Sequence, residues 1–414
     1  MNACVKNGSL IGFISAPSSK SVAHRAIILS AILGNQTSVL GNLNSNDIQA
    51  TLDSMEELGA VVTRNENGAV VTKIDSPKGS LFNVRESGST MRFLLPLIAV
   101  YLSEFKMEGS GRIGERTIRA IRHSMQENGV NVSGDFLPVS VSGKYSSNEF
   151  TISPKESSQF VTGLLCTLVA LGGGKLKIEG EITSKGYVDV TLEVMKKFGV
   201  GVSFESGEYK VVSPKQEVAP SKIVVDGDWS SACFWIVAGA LGGEISVGGV
   251  EFPSAQPDSV ILSVLKEMGA SVEYKDGVVI ARKSQLKAIN FNADASPDIV
   301  PILSVACAFA DGVSTISGVS RLRIKESDRV KSVTDMLTAC GIKVESGEDY
   351  IKIWGSSAVS GGVIDSANDH RIAMSGIILG SLASGQTIVK GVECVSKSYP
   401  NFLEDFQKLG GKYE

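Results

Sequence analysis

Apolar residues follow two different patterns along the chain, and each pattern predicts its own kind of element. Long runs such as AIILSAILG and ACFWIVAGALGG would be apolar on most faces of a helix, so they predict buried helices. Segments such as VSFESGEYKVV and VEYKDGVVI alternate apolar and polar residues on both sides of a turn, which is typical of β-hairpins. Together, the two patterns predict an α/β protein.

Six glycines at nearly equal intervals indicate that one unit of about 70 residues is repeated six times. They are Gly59, Gly129, Gly199, Gly269, Gly341 and Gly410. Each follows an amphipathic stretch, and most precede an alternating run, as expected of a glycine that ends a helix before a strand. The unit is predicted to run strand, buried helix, strand, amphipathic helix and two strands.

A second series with nearly the same period marks the openings of the buried helices. Its members are Lys20, Gly88, Ser158, Asp228, Asp298 and Asp369. The Ser, Thr, Asp and Asn residues at these openings are typical N-caps. A helix N-terminus carries free N–H groups and about half a positive charge. Several such ends in one cleft would therefore bind an anion.

Composition narrows the class of protein. The 414 residues are 43% apolar, which is enough for a packed core and excludes a disordered chain. The net charge of −4 argues against a general surface for nucleic acid or anionic membrane. The longest apolar run, 93–102, is half of the ~20 residues that a membrane span needs. With six scattered cysteines and no visible secretory signal, we expect a soluble cytoplasmic protein.

Cationic side chains recur at the first, second and sixth helix openings, where Lys20, Arg25, Arg92 and Arg371 lie. A positive charge in the first turn of a helix opposes the helix dipole, so three such cases favour a bound anion. Solvated arginines are the alternative. Ser21 and Arg25 are four residues apart and could face one ligand.

Other candidate residues keep two interpretations when they are taken alone. Lys325 and Arg329 in RLRIKESDRV share one helix face, but a charge run is also typical of a solvated helix. Asp298 is either an N-cap or a general base. A helix cap or a surface residue is likewise the alternative to ligand contact for Ser157, Ser158, Gln159 and Lys397.

Eight segments, in order from residue 17 to 402, resemble motifs of the enolpyruvyl-transferase family, and RIKESDR with NDHRIAM is the most diagnostic pair. The segments are PSSKSVAHRA, SGSTMRF, SSQFVTGLL, VDGDWSSA, PDIVPILSVACAFADG, RIKESDR, NDHRIAM and KSYPNF. The resemblance implies a two-domain inside-out α/β barrel fold with six βαβαββ repeats, three per domain. The first domain would comprise 1–18 and 226–414, and the second domain would comprise 19–225, with the active site in the interdomain cleft.

The resemblance is to the shikimate-pathway members of this family, which serve the biosynthesis of aromatic amino acids. They transfer the enolpyruvyl group of phosphoenolpyruvate to the 5-hydroxyl of shikimate 3-phosphate. Addition and then elimination give 5-enolpyruvylshikimate 3-phosphate and phosphate. The resemblance implies that the protein uses no metal and no organic cofactor, and that it has no nucleic-acid or membrane partner. A monomer that binds only these small molecules is expected.

The matching motifs imply site residues by position. Contacts to shikimate 3-phosphate are implied for Lys20, Ser21, Arg25, Ser157, Ser158, Gln159, Ser184, Asp298, Arg321 and Lys325, with Tyr187 shaping the pocket. Contacts to phosphoenolpyruvate are implied for Lys20, Gly88, Arg116, Gln159, Arg329, Arg371 and Lys397. Asp298 would be the base for the 5-hydroxyl, Glu326 would exchange the proton at C3, and Lys20 and Lys325 would assist catalysis.

This chain departs from the usual motifs at four positions, which are Glu86, Phe93, Thr117 and Arg321. Two other functions stay open: a UDP-N-acetylglucosamine 1-carboxyvinyltransferase, and a non-catalytic repeat or binding protein. The first is disfavoured because no cysteine lies between residues 100 and 125, where that relative usually carries a reactive one. The second would not need Asp298, Glu326 and the cations together.

Overall fold

The computed structural model describes residues 1–214 and 219–414. The chain forms two compact units. Ser18–Val225 is one unit, and Met1–Pro17 together with Asp226–Glu414 is the other. We call them the inserted unit and the discontinuous unit.

The strands in the described residues are short, mostly of three to five residues. In chain order they are β1 (Asn2–Lys6), β2 (Ile11–Ser15), β3 (Gln36–Leu40), β4 (Val62–Asn65), β5 (Gly68–Thr72), β6 (Leu81–Asn83), β7 (Glu104–Glu108), β8 (Val130–Val132), β9 (Val139–Gly143), β10 (Glu149–Ile152), β11 (Gly173–Ile178), β12 (Gly201–Glu205), β13 (Glu208–Val212), β14 (Lys222–Val224), β15 (Glu244–Gly248), β16 (Ser271–Lys275), β17 (Val278–Arg282), β18 (Asn290–Asn292), β19 (Val313–Ser317), β20 (Lys343–Ser346), β21 (Tyr350–Trp354), β22 (Val363–Asp365), β23 (Thr387–Lys390) and β24 (Lys412–Tyr413).

Helices alternate with these strands. They are α1 (Lys20–Leu33), α2 (Asn46–Leu58), α3 (Gly88–Tyr101), α4 (Arg119–Glu127), α5 (Gln159–Ala170), α6 (Gly186–Lys197), α7 (Trp229–Gly242), α8 (Ile261–Glu267), α9 (Val300–Ala308), α10 (Arg329–Ala339), α11 (His370–Leu382) and α12 (Phe402–Lys408). Short 3-10 turns occupy Gly111–Glu115, Pro257–Val260, Pro297–Ile299, Ser320–Ile324 and Val392–Lys397.

The six sheets formed by these strands share one strand order. In β6-β7-β9-β8, for example, the first two strands are parallel and joined through α3, and the last two form an antiparallel hairpin. The same order recurs in β10-β11-β13-β12 and in β18-β19-β21-β20. The other three sheets borrow a strand that is distant in sequence: β14 pairs with β3, β2 with β15, and β1 with β23.

The apolar helices form the centre of each unit. In the inserted unit α5 packs against α1 and α3, and in the discontinuous unit α7, α9 and α11 pack against one another. Nearly every residue of α7 and α11 is buried. The close approach of α3 and α5 requires Gly163, because a Cβ at that position would clash with the carbonyl oxygen of Arg92. Helices inside and sheets outside are the arrangement that the resemblance implies.

The glycine period has a direct backbone cause. All six of these glycines have positive φ angles, between 72° and 111°, and they follow α2, α4, α6, α8, α10 and α12. A left-handed residue ends each amphipathic helix and turns the chain into the next strand, as predicted.

The second series falls at helix starts, also as predicted. α1 begins at Lys20 and α3 at Gly88, whereas Ser158, Asp228 and Asp369 are the N-caps of α5, α7 and α11. Asp298 differs in its place, because it lies inside a 3-10 turn that Ser296 precedes at the cap position.

Alanine variants of two glycines of the 70-residue series test whether these glycines are needed for their backbone conformation alone. Gly269→Ala places a Cβ no closer than 3.7 Å to its nearest neighbour, so only the left-handed φ is penalised, by about 1–2 kcal/mol. Gly59→Ala adds a clash, because the Cβ would overlap the carbonyl oxygen of Ser76. We expect both variants to lower the thermal unfolding midpoint, and Gly59→Ala to lower it more. Equal midpoints would contradict the steric argument.

Candidate active site

The start of α1 places Lys20 beside a carboxylate. Ser19 caps the helix, its hydroxyl accepting the N–H of Val22 at 3.4 Å. Lys20 Nζ lies 2.7 Å from Oδ2 of Asp47, which is in the first turn of α2. The carbonyl of Asp47 in turn accepts a hydrogen bond from the Thr90 hydroxyl in α3 at 3.3 Å. The starts of α1, α2 and α3 are thereby connected through Asp47.

Two guanidinium groups surround the start of α3. A Cβ on Gly88 would lie 2.8 Å from Nη1 of Arg92 and 3.0 Å from Nη1 of Arg116, so any side chain there would displace them. Arg92 donates to Oε1 of Gln159 at 2.8 Å, and Gln159 Nε2 donates to the Ser89 hydroxyl at 2.9 Å. Gly88, Arg116 and Gln159 are thus brought together with Arg92, a cation that was predicted to favour a bound anion but for which the family motifs implied no particular substrate contact.

Arg25 is directed into the protein. It is 2% exposed, and it donates to the Thr191 hydroxyl at 2.7 Å and to the carbonyls of Ser21 and Tyr187 at 2.5 and 2.8 Å. Burial lowers the pKa of its guanidinium to about 10. Its carbon atom Cζ lies 4.9 Å from the ring centre of Phe93, so this departure from the usual motif supplies a cation–π contact.

A row of hydrogen-bonded hydroxyl groups near these residues was not predicted from the sequence. His24 Nδ1 lies 2.7 Å from the Thr51 hydroxyl, which lies 2.7 Å from that of Thr90, and the hydroxyl oxygens of Thr90 and the N-cap Ser87 are 2.7 Å apart. Burial, together with the charges of Lys20 and Arg25, holds the pKa of His24 well below its usual value. The sequence feature that could have indicated this row of hydroxyl groups was the position of His24 inside the segment PSSKSVAHRA.

The remaining predicted residues of this unit lie at the starts of α5 and α6. The Ser157 hydroxyl accepts the N–H of Gln159 at 3.2 Å, and Ser158 is buried at the N-cap. Ser184, just before α6, has a left-handed φ of 51°. Two more positions of this unit at which the chain differs from the usual family motifs, Glu86 and Thr117, lie in the same region as Arg116. Glu86 lies against Gly111, and the Thr117 hydroxyl accepts the N–H of Arg119 at 3.2 Å.

In the discontinuous unit, Asp298 is surrounded by cations. Its Oδ1 accepts from Arg329 at 2.7 Å and lies 3.7 Å from Lys325 Nζ, and its Oδ2 accepts from Arg371 at 3.1 Å. The side chain remains 19% exposed. Burial opposes its ionisation, yet Arg371, Lys325 and Arg329 together hold the pKa of Asp298 well below its usual value.

Arg329, at the start of α10, is 1% exposed and donates to three carboxylates. Besides Asp298 these are Asp369, 2.8 Å from Nε, and Glu326, 2.6 Å from Nη2. Burial alone would lower the pKa of Arg329, but Asp369, Glu326 and Asp298 raise it well above its usual value. The guanidinium therefore gathers both predicted catalytic carboxylates.

Two further predicted cations have partners in the same unit. Lys397 is buried and donates to the carbonyl of Asn368 at 2.8 Å, just before α11. Arg321 donates to the Asp294 carboxylate at 2.8 Å and to its carbonyl at 3.0 Å. Asp369, the N-cap of α11, accepts the N–H of Arg371 at 3.0 Å.

The chemistry of both clusters fits anionic ligands. Each combines guanidinium and ammonium groups with helix N-termini. Among residues 1–214 and 219–414, no group of three or more His, Cys, Asp and Glu side chains could hold a metal ion. In the same part of the chain, no helix has both the length and the apolar character to cross a membrane.

Comparison with known proteins gives a family for nearly the whole chain. Residues 5–406 match the family model described as EPSP synthase (3-phosphoshikimate 1-carboxyvinyltransferase). The 3-phosphoshikimate 1-carboxyvinyltransferase of Clostridium kluyveri is 35% identical over 98% of this chain and 96% of its own. That of Clostridium beijerinckii is 37% identical over 98% of this chain and 97% of its own.

Solved structures agree in fold. EPSP synthase from Acinetobacter baumannii superimposes with a TM-score of 0.82 at 28% identity, covering 100% of this chain and 99% of the other. The enolpyruvyl transferase NikO from Streptomyces tendae has a TM-score of 0.78 at 16% identity and covers 100% of this chain and 98% of its own, which supports the fold alone. The predicted two-domain α/β fold class and the predicted family are confirmed. The chain belongs to the EPSP synthase (3-phosphoshikimate 1-carboxyvinyltransferase) family.

Proposed function

We propose that this protein transfers the enolpyruvyl group of phosphoenolpyruvate to the 5-hydroxyl of shikimate 3-phosphate, in agreement with the name of its family, 3-phosphoshikimate 1-carboxyvinyltransferase. The main observation that supports the roles proposed for individual residues is the environment of Asp298. This partly exposed carboxylate contacts Arg371, Lys325 and Arg329. It offers one base beside cations that suit the phosphate and carboxylate groups of both substrates.

Substrate binding would change the strength of that base. In the structure, Arg371 and Lys325 are partly neutralised by Asp298 itself, which makes this carboxylate a weak base. A substrate anion that contacts Arg371 would compete for its positive charge and raise the pKa of Asp298. The base would thus become effective only when the site is filled, at the point where the 5-hydroxyl must lose its proton.

The addition step then balances as follows. The oxygen of the 5-hydroxyl bonds to C2 of phosphoenolpyruvate, its proton passes to Asp298, and C3 gains a proton from the protonated form of Glu326. In the elimination, C3 returns a proton to Glu326, the bond between C2 and the phosphate oxygen breaks, and inorganic phosphate leaves with the proton that Asp298 took from the 5-hydroxyl. Arg329 holds Asp298 and Glu326 by separate nitrogen atoms, which keeps the two proton carriers apart but close.

The inserted unit would supply the remaining contacts. Lys20 is assigned to both substrates, and Arg116 and Gly88 to phosphoenolpyruvate, on the support of the guanidinium groups around the start of α3. Gln159 would serve both substrates. The other residues of this unit proposed to contact shikimate 3-phosphate are Ser21, Arg25, Ser157, Ser158 and Ser184.

The rest of the assignment lies in the discontinuous unit. There, Arg321 and Lys325 are proposed to contact shikimate 3-phosphate, and Arg329, Arg371 and Lys397 phosphoenolpyruvate. We further propose that the protein is a monomer and that it acts in the cytoplasm. The six free cysteines support the second part, because thiols stay reduced in that compartment.

Phosphate release tests the reaction directly. With phosphoenolpyruvate and shikimate 3-phosphate, the protein is expected to release one phosphate per 5-enolpyruvylshikimate 3-phosphate formed. With UDP-N-acetylglucosamine as acceptor, no release above background is expected. The reverse preference, or release with neither acceptor, would overturn the proposal.

Asp298→Asn removes the base but keeps the size of the side chain. Loss of a general base typically costs about 10²- to 10⁴-fold, so we expect kcat to fall by that factor. Asp335→Asn is the matched control, since Asp335 is 60% exposed and forms its ion pair with Lys331 on the surface of α10. Unchanged kcat in Asp298→Asn, measured in the phosphate-release assay, would remove Asp298 from the mechanism.

Arg116→Ala removes a guanidinium that is 8% exposed beside Gly88. A hydrogen bond to a charged group contributes about 1.5–3 kcal/mol, so we expect KM for phosphoenolpyruvate to rise about 10- to 100-fold. KM for shikimate 3-phosphate should change less. Arg112→Ala, in the same loop but 41% exposed, is the control and should keep both constants. A selective effect on shikimate 3-phosphate would contradict the assignment.

A further inference from the structure

A buried carboxylate, in a turn that is hydrogen-bonded to the turn of Asp298, has no place in the reaction described above. Asp258 lies in the 3-10 turn Pro257–Val260, between β15 and α8, and is 1% exposed. The sequence around it, SAQPDSV, belongs to none of the eight family-like segments. A carboxylate is rarely buried to this extent unless its surroundings compensate it, so the groups around Asp258 determine its state.

Several hydrogen bonds attach this turn to the start of α7. The Ser230 hydroxyl donates to the Asp258 carboxylate, and the Cys233 thiol donates to the Asp258 carbonyl at 3.6 Å. Gln256 accepts the N–H of Trp229 at 3.1 Å through its Oε1. Asp258 is therefore held by a helix start of the same series that carries the other site residues.

The turn that contains Asp258 is also hydrogen-bonded to the turn that contains Asp298. The Ser296 hydroxyl, just before Asp298 in the chain, donates to the carbonyl of Pro257 at 2.9 Å. Arg371, which donates to Asp298 at 3.1 Å, also attracts Asp258 electrostatically. The same guanidinium thus acts on two carboxyl groups, the partly exposed Asp298 and the buried Asp258.

The charges around Asp258 determine its protonation. The pKa of its carboxyl is raised to about 7, chiefly by burial and further by the negative charges of Asp298 and Asp228. Arg371 and the hydrogen bond from Ser230 act in the opposite direction. The thiol of Cys233 is neutral, because burial raises its pKa well above the usual value. Asp258 consequently changes charge near neutral pH, while Asp298 stays ionised.

We propose that Asp258 is a positioning residue for phosphoenolpyruvate, and that its carboxyl controls how much of the positive charge of Arg371 is available to this substrate. The inference rests on the proposed role of Arg371. When Asp258 is protonated, Arg371 is attracted by Asp298 and by the substrate anion. When Asp258 is ionised, a second carboxylate competes for Arg371 and repels the substrate, so phosphoenolpyruvate binds less well.

Asp258→Asn tests this inference, because the amide is neutral at every pH and nearly the same size. In the wild type, kcat/KM for phosphoenolpyruvate is expected to fall about 3- to 10-fold between about pH 6 and pH 8.5, beyond any change shared with the variant. Ionisation of the substrates affects both proteins equally and cancels in the comparison. Identical profiles in two active proteins would overturn the role of Asp258.

Asp405→Asn is the matched control. Asp405 is buried in the same unit, but its carboxylate is bound to Tyr399 and Lys408, 2.7 and 2.8 Å away. This variant should keep the wild-type pH profile. Loss of the pH dependence in both variants would mean that any buried carboxylate of this unit has the same effect, and it would contradict a specific role for Asp258.

A second variant covers the case in which Asp258→Asn does not fold. Ser230→Ala removes a hydrogen bond that lowers the pKa of Asp258, so the fall in kcat/KM should move to higher pH. An unmoved pH profile in Ser230→Ala would contradict the proposal.

Stability supplies a readout that needs no turnover. Asp258 has an ordinary pKa of about 4 when unfolded, and the folded value is higher. Between these values the folded state binds the proton and the unfolded state does not, so stability falls as pH rises. Asp258→Asn should therefore raise the melting temperature more at pH 8 than at pH 5. An equal shift in melting temperature at pH 5 and pH 8 would show that Asp258 does not hold the proton.

The proposed function and the role of Asp258 fail in different experiments. Failure of the wild type to release phosphate would overturn the proposed function, and it would leave the melting-temperature test of Asp258 unaffected.

Discussion

The contact on which the discontinuous unit depends is the ion cluster of Arg329. One nearly inaccessible guanidinium donates to Asp298, Glu326 and Asp369. A buried cation without its partners would be very unfavourable, and so would three carboxylates without theirs. Each therefore fixes the other, and the cluster joins the turn before α9 and the starts of α10 and α11.

This arrangement has a consequence for reactivity. Contacts that stabilise a carboxylate also make it a weaker base, and Arg371, Lys325 and Arg329 lower the pKa of Asp298 in this way. The cations are already positioned by their interaction with protein carboxylates, and little reorganisation is needed when a substrate anion arrives. Preorganised charge of this kind is a general source of transition-state stabilisation. Arg329, which lies deepest, is suited to hold carboxylates, whereas Arg371 and Lys325 are better placed to exchange partners.

The period of the sequence was informative because it reflects backbone requirements. A left-handed residue must end each amphipathic helix, so Gly59 and its five counterparts keep their spacing. N-caps at the buried helices impose the second series. Both requirements are local, and local requirements can be read from one chain. Six copies of one supersecondary unit, and through the motifs the family, could be predicted for this reason.

Side-chain partners could not be predicted in the same way. Spacing suggests that Arg25 and Ser21 share a helix face, but it does not show that Arg25 enters the interior to bind Thr191, which is distant in the sequence. Neither Asp47, which pairs with Lys20, nor Asp258, whose turn is hydrogen-bonded to the turn that holds Asp298, belongs to a charged motif. Their positions follow from packing between distant elements, and isolated acidic residues are too common in a sequence to be singled out.

The strand exchange between sheets has a consequence for how the chain folds during synthesis. The three sheets of the inserted unit draw their strands from within Ser18–Val225, so that unit can close them before the following half of the chain has left the ribosome. β1, by contrast, pairs Val5 with Thr387 and also with Tyr413, both of which are synthesised much later. This strand therefore emerges long before its neighbours, and its edges stay open to chaperones during most of translation.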